Sequence, residues 1–296
     1  SNLTPSSSVR GGVATTAYAC QGRLTTESGV PVSTSDRTAQ TTIYYTPMNG
    51  NGLALYDTGA TTWVNYNFTE ISTSLGTLNN DTNYDVFAIT FGSGPLLYIS
   101  AGWSTDFSRT EAVSLFQGVY TLTVDRGARY LGTFHTTSTT TTEDSASKRF
   151  VWNYYNRVPR HMFVTDTANS WNYTAPAFYR QANLSTANQV AQVIGFPELL
   201  IRTFAMSLAT TASASATGFE GGGTGLRAST AIDSQLRGAM GRNTLAQQNV
   251  SQYDKYHSAG YSWLSWNDRA NANFTYYGDN GGDDRTQTGL MALTEN

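Results

Sequence analysis

The chain has 296 residues, enough for one large domain or two ordinary ones, each able to bury a core. Charged residues make up only 13%, and 18 Lys+Arg against 21 Asp+Glu leave a net charge of −3, so nothing favours a polyanion such as DNA as partner. The single cysteine, Cys20, excludes an internal disulfide framework and reads as an inert small apolar residue, and no apolar run approaches the length of a membrane span.

Residues 1–15 are Ser, Thr, Gly and Ala around Leu3, Pro5, Val9 and Arg10, with no period that could hide an apolar face. They read as an extended arm, ordered only on a partner, with Leu3, Val9 and Arg10 as its candidate contacts. Ser1-Asn-Leu-Thr-Pro5 lacks a basic n-region and an apolar h-region, so a soluble intracellular product that has lost its initiator methionine is expected. The Asn-x-Ser/Thr triplets at Asn67, Asn172 and Asn273 are then chance occurrences in a chain rich in these residues.

Strands are expected over residues 18–25, 41–46, 52–57 and 62–68, the middle two joined as a hairpin by Pro47-Met-Asn-Gly-Asn-Gly52. A second hairpin pairs residues 81–90 with 96–100 across Phe91-Gly-Ser-Gly-Pro95. Ser104 to Phe116 reads as one short helix, capped by Ser104 or Thr105, with Phe107, Ala112, Val113, Leu115 and Phe116 inward. Strands 118–124 and 129–136 follow, turning at Asp125-Arg-Gly-Ala128, and the threonine run 136–142 reads as an exposed edge.

In Phe150-Val-Trp-Asn-Tyr-Tyr-Asn-Arg157, aromatic residues alternate with others as on a strand, and Pro159 is expected to end the ladder. Arg157 and Arg160 either cap an interface or are solvated. The pattern changes here, which divides the chain into a β domain over 16–157 and a second over 158–296. Further strands are expected over 161–165, 170–173, 178–182, 189–196, 198–208, 261–266, 273–277 and 286–293. Thr210 to Gly225 reads as a small-residue strand followed by a flexible loop, Glu220-Gly-Gly-Gly-Thr-Gly225, while 233–250 has no clear pattern. The fold expected is all-β: two antiparallel sandwich or jelly-roll-like domains, an arm and one short helix.

Catalytic patterns are missing. His135, His161 and His257 stand far apart and in no metal-ligand spacing, so each reads as a surface or strand residue. The glycine run 221–225 lacks the Lys-Ser/Thr of a phosphate loop, and Asp279-Asn-Gly-Gly-Asp-Asp284 does not have EF-hand spacing, though oxygen ligation of calcium is conceivable there. Glu70, Glu111, Asp144, Glu198 and Glu220 give no pair in sequence. No enzyme and no cofactor are implied. Trp263 and Trp266, with Tyr261, Tyr276 and Tyr277, could stack on sugar rings, yet they lie on opposite strand faces, so at least one belongs in a core.

Thr42-Ile-Tyr-Tyr-Thr-Pro47, Leu53-Ala-Leu-Tyr-Asp57, Tyr84-Asp-Val-Phe87, Arg129-Tyr-Leu-Gly-Thr133 and Lys148-Arg-Phe-Val-Trp-Asn-Tyr-Tyr-Asn-Arg157 resemble a module of tailed-bacteriophage virion proteins. The segment from Tyr261 to Leu290, with Tyr277-Gly-Asp-Asn-Gly281 and Gln287-Thr-Gly-Leu290, is similar to the closing part of such proteins. The resemblance implies a structural protein of the virion, assembled in the host cytoplasm. A capsid decoration (cement) protein is the leading expectation, a homotrimer clamping the major capsid protein of the shell, with neither nucleic acid nor membrane as partner. A tail-fibre or baseplate component, with host glycan as a ligand, is the alternative. No catalytic residues come with the resemblance.

Overall fold

The structure is a computed structural model describing residues 19–92, 94–173, 179–211, 220–237, 239–240, 246–270, 274–279, 281–282 and 286–296; Leu3, Val9 and Arg10 lie outside the described residues. Its strands are β1 (Gly22–Thr25), β2 (Arg37–Gln40), β3 (Thr42–Pro47), β4 (Gly52–Asp57), β5 (Thr62–Asn67), β6 (Ile71–Ser74), β7 (Asn83–Phe91), β8 (Gly94–Ile99), β9 (Val113–Phe116), β10 (Val119–Leu122), β11 (Asp125–His135), β12 (Thr142–Asp144) and β13 (Lys148–Arg149). They continue with β14 (Val151–Asn153), β15 (Pro159–Thr165), β16 (Trp171–Tyr173), β17 (Arg180–Gln181), β18 (Gln189–Ile194), β19 (Leu200–Thr211), β20 (Glu220–Leu226), β21 (Ala239–Met240), β22 (Gln247–Tyr256), β23 (Gly260–Ala270), β24 (Phe274–Tyr277) and β25 (Gly289–Glu295). Among the described residues there is no α-helix, only a 3-10 turn at Ala182–Leu184. The chain is all-β.

The first half builds a three-stranded sheet (β1-β3-β6), the β4-β5 hairpin and a six-stranded sheet ordered β8-β7-β11-β10-β9, with β14 on β11. The second half builds a six-stranded sheet ordered β15-β25-β19-β24-β16, with β22 on the far side of β19. The eight-stranded sheet, β2-β12-β13-β18-β23-β20-β21 with β17 on β23, takes strands from both sides of residue 157. Among the described residues, pairings are antiparallel except β13 with β18.

Two hydrophobic clusters follow from this layering. The smaller holds Leu24, Ile43, Leu53, Val86, Leu131, Phe134 and Val151; the larger lies mostly between the two late sheets and also takes Phe87, Tyr130 and Trp152. The six-stranded sheet of the first half thus has a core on each face. In β14, Val151 points into the smaller cluster and Trp152, fully buried, into the larger. A bulge places Leu131 between the pairs Tyr130↔Phe87 and Gly132↔Val86, so Leu131 and Phe134 enter the same core despite their spacing of three.

Several expectations are corrected. Ser104 to Phe116 is not a helix: Ser104 N–H donates to Ser108 O (2.9 Å), the Ala101 N–H bonds the Glu111 carboxylate (2.7 Å), and Val113–Phe116 is a strand. Gln117 and Gly118, at φ 49° and 82°, make the two-residue turn that folds β9 onto β10. The Asn-Gly link at 47–52 does not close a hairpin, because β3 pairs with β1 and β6 while β4 pairs with β5; the Gln21 backbone accepts from Met48 and Asn49 and donates to Gly52. Asp125 already opens β11, so the turn falls at Thr123 and Val124. Residues 136–142 form a closed turn, not an edge, since Thr141 Oγ1 bonds the hydroxyls of Thr137 (2.9 Å) and Ser138 (2.7 Å). Pro159 opens β15 instead of ending β14.

The glycine run 220–225 is a strand, not a loop. It is pressed between β23, Ser207 and Ile232: a Cβ on Gly222 would lie 2.6 Å from Ser207 Oγ, and one on Gly223 would lie 2.9 Å from Ile232. Arg160 is likewise not solvated. It is buried and reaches Asp144 Oδ2 (3.0 Å) while Arg149 holds Oδ1 (2.9 Å). Arg23 completes this group by donating to the carbonyls of Pro31 (2.8 Å) and Asn296 (2.6 Å). Burial, with Arg160 nearby, pushes Arg23 down to about 10, still charged at neutral pH. Arg157 pairs with Glu198 (3.3 Å) beside the Trp152 ring.

Candidate interaction surface

Alternation along the strands of the second-half six-stranded sheet sends one set of side chains into the larger core and the other outward. Leu290, Ala292 and Thr294 of β25 are buried, as are Arg160 and Met162 of β15 and Ile201, Thr203 and Ala205 of β19. Outward point Met291 and Leu293, Phe163 and His161, and Leu200, Arg202 and Phe204. The register aligns them in rows: Phe163 beside Met291 beside Phe204, and His161 beside Leu293 beside Arg202, with Asp254 of β22 next. Phe163, Leu200, Phe204, Val250, Met291 and Leu293 are between 38% and 51% exposed, too much apolar surface in one place for a face designed to meet water.

Beside the first row a shallow, almost wholly apolar hollow of about 350 Å³ is lined by Phe163, Phe204, Met206, Val250, Gly289 and Met291, among others. The charged side chains inside the rim are Arg202 and Asp254, and they neutralise each other through Arg202 Nε to both carboxylate oxygens (3.1 and 3.2 Å). Such a face offers mainly area and shape, and His161, beside Phe163 at the edge of the hollow, is the imidazole it presents.

The residues singled out in the sequence are scattered. Trp266 is fully buried, its Nε1–H donating to Ser207 Oγ (2.9 Å), and it packs edge-on against Trp171 at 5.7 Å; no sugar can reach it. Trp263 is half-buried on the opposite face of β23. Ser207 in turn donates to Asp268, whose carboxyl is wholly buried at the centre of the second half. Burial pushes this carboxyl up to about 7 against the lowering effect of its hydrogen bonds.

The histidines do not meet. His135 is buried between Asn83 (2.8 Å) and Asp81 (3.0 Å) and stacked on Tyr261, and burial lowers its pKa. His257, neither on the surface nor in a strand, lies between Tyr253 OH (2.9 Å) and Ser262 Oγ (3.2 Å); burial, then Arg227 and Lys255, push it down to about 4. His161 lies on the outer face against Phe163. Glu70 binds Ser28, Gly29 and Thr46; Glu111 binds Ala101; Asp144 and Glu198 hold arginines. The side chain of Glu220 and three residues of the 279–284 turn, Asn280, Asp283 and Asp284, lie outside the described residues. Among the described residues no group of three or more His, Cys, Asp or Glu side chains could hold a metal ion. Cys20 is buried against Tyr45 OH (3.1 Å), and burial raises its pKa, as suits an inert thiol.

The apolar face was open to sequence reading in one respect. Leu290-Met-Ala-Leu293 and Phe204-Ala-Met206 are apolar at both parities, the mark of a strand covered on both sides, yet the structure covers only one. Comparison of the chain with protein-family models and with curated proteins finds no match.

Proposed function

We propose that this protein is a structural component of a phage particle, a capsid decoration protein that binds and stabilises the head shell. The observation that supports the reading is the flat, nearly charge-free outer face of β15, β25, β19 and β22, which suits packing against protein subunits. The rest of the surface agrees with such a role, since a chain with 13% charged residues has little repulsion to oppose close packing in an assembly. The protein would add buried area across joints between shell subunits, raising shell stability by mass action.

The test is cosedimentation with purified empty heads, followed by heating. Saturable binding and a higher disruption temperature of the coated heads are expected. A protein that leaves heads bare but is found in tails by quantitative mass spectrometry would be a fibre or baseplate part instead.

A further inference from the structure

We propose that the small hollow between Phe107 and the β22-β23 turn holds one tetrahedral oxyanion, of the sulfate or phosphate class, on Arg227, Ser258 and Ser262. The site is separate from the apolar face and does not rest on the role proposed for that face.

The hollow has a volume of about 80 Å³ and is lined by Phe107, Leu226, Arg227, His257, Ser258 and Ser262. That suits a single small ion and lies well under the roughly 300 Å³ at which pockets for drug-sized ligands begin. Phe107 and Ser258 are exposed while His257 and Ser262 are buried, so the hollow opens to water and has a polar floor. Arg227 supplies the charge. Its backbone stands at φ 52°, in the left-handed region that arginine seldom adopts, and its N–H donates to Trp263 O (3.0 Å). The guanidinium lies over the Phe107 ring, 3.7 Å from its centre. Among the described residues it has neither an ion pair nor a hydrogen bond, although burial already works against its charge. The carboxylates that act on this region do not fill the need: Asp106 is exposed, and Asp233 accepts from the Leu226 N–H (2.8 Å). Lys255 adds a second positive charge nearby.

His257 makes the binding depend on pH. Its ring nitrogens meet Tyr253 OH and Ser262 Oγ, and the charged and titratable groups about it are Arg227, Lys255, Asp233 and Tyr253, with Asp106 and Tyr261 beyond Arg227. Once protonated, the ring donates from both nitrogens, which frees the Ser262 hydroxyl proton to point into the hollow. An anion opposite Arg227 offsets the repulsion that Arg227 and Lys255 exert on the imidazolium. Proton and anion therefore bind together, and affinity rises as pH falls.

The experiment is equilibrium dialysis of the wild-type chain against radiolabelled sulfate at constant ionic strength, at about pH 7 and about pH 5, with inorganic phosphate as competitor. Sulfate keeps one charge across this range, so any change comes from the protein. Saturable binding of one ion per chain is expected, displaced by phosphate and several-fold tighter at the lower pH. Arg227→Asn, whose side chain tolerates the left-handed backbone, should weaken it at least about tenfold. Ser258→Asp, a substitution at an exposed position, sets a carboxylate at the mouth and should weaken it by a similar factor, with circular dichroism checking the fold of both variants. The absence of saturable binding overturns the proposal, as does binding that both variants keep or that fails to tighten at the lower pH.

Discussion

Asp268 shows how far a side chain's chemistry can depart from what its letter in the sequence suggests. It sits on β23 in the wall of the larger core and takes a hydrogen bond from Ser207 across the sandwich, with the indoles of Trp171 and Trp266 beside it. Its carboxyl, up at about 7, keeps a proton that the unfolded chain, at an ordinary value of about 3.9, releases. The stability it contributes is therefore complete below about pH 4 and lost as pH rises to about 7, a change of about 4 kcal/mol. His257 works in the opposite sense. Held down at about 4, it costs stability as pH falls from about 6.5, so the two slopes largely cancel in the wild type. Asp268→Asn should expose them: its stability relative to wild type, measured by urea unfolding, is expected to climb between pH 4 and 7, and a flat difference would mean that Asp268 is ionised in the fold. At the arginine cluster, Asp144→Asn leaves Arg149 and Arg160 buried without their carboxylate and should cost about 3 kcal/mol or more. Trp266→Ala should likewise cost about 3–5 kcal/mol, as a core residue and not a sugar platform.

Elements were legible where apolar residues alternate in the sequence or turn residues punctuate it. Leu53 to Asp57, Trp63 to Asn67 and the β7-β8 hairpin show their strands because alternation or turn chemistry survives in the sequence. Legibility fails where tertiary contacts decide. Nothing local marks Leu131 as a bulge, and the helix pattern of 104–116 loses to side chains that bond other loops and to a turn whose positive φ is fixed by Gln117 and Gly118. The glycines of β20 look like a loop because their reason is a neighbour: Ser207 and Ile232 occupy the space of the missing side chains. Gly223→Val should therefore push β20 off Ile232 and lower stability by about 1–3 kcal/mol, readable as a fall in melting temperature. The outer apolar face was equally hidden, since sequence shows that a strand is apolar on both sides but not whether both sides are covered.

At the scale of the molecule, the stretch around Trp152 reads in sequence as a boundary and in the structure as a wall between two cores. Val151 and Trp152 point to opposite clusters, and β13 joins β18 from across residue 157. Arg109, paired with Asp85 (2.7 Å), also donates to Gly195 O (2.7 Å) in the second half. Units tied by a shared sheet, shared core and buried ionic contacts are expected to melt together, so calorimetry should record one transition. Two well-separated transitions would instead mark independent domains.

A molecule with its cores filled and one sheet face left apolar is suited to assembly, and the role proposed for it stands on that face. The most direct measurement is cosedimentation of the wild-type chain with purified empty heads, over a range of protein concentrations. Binding that saturates at a fixed number of copies per head, with shells that resist higher temperature once coated, is the expected result. A chain that stays in the supernatant at every concentration, leaving the shells as fragile as before, would contradict the decoration role.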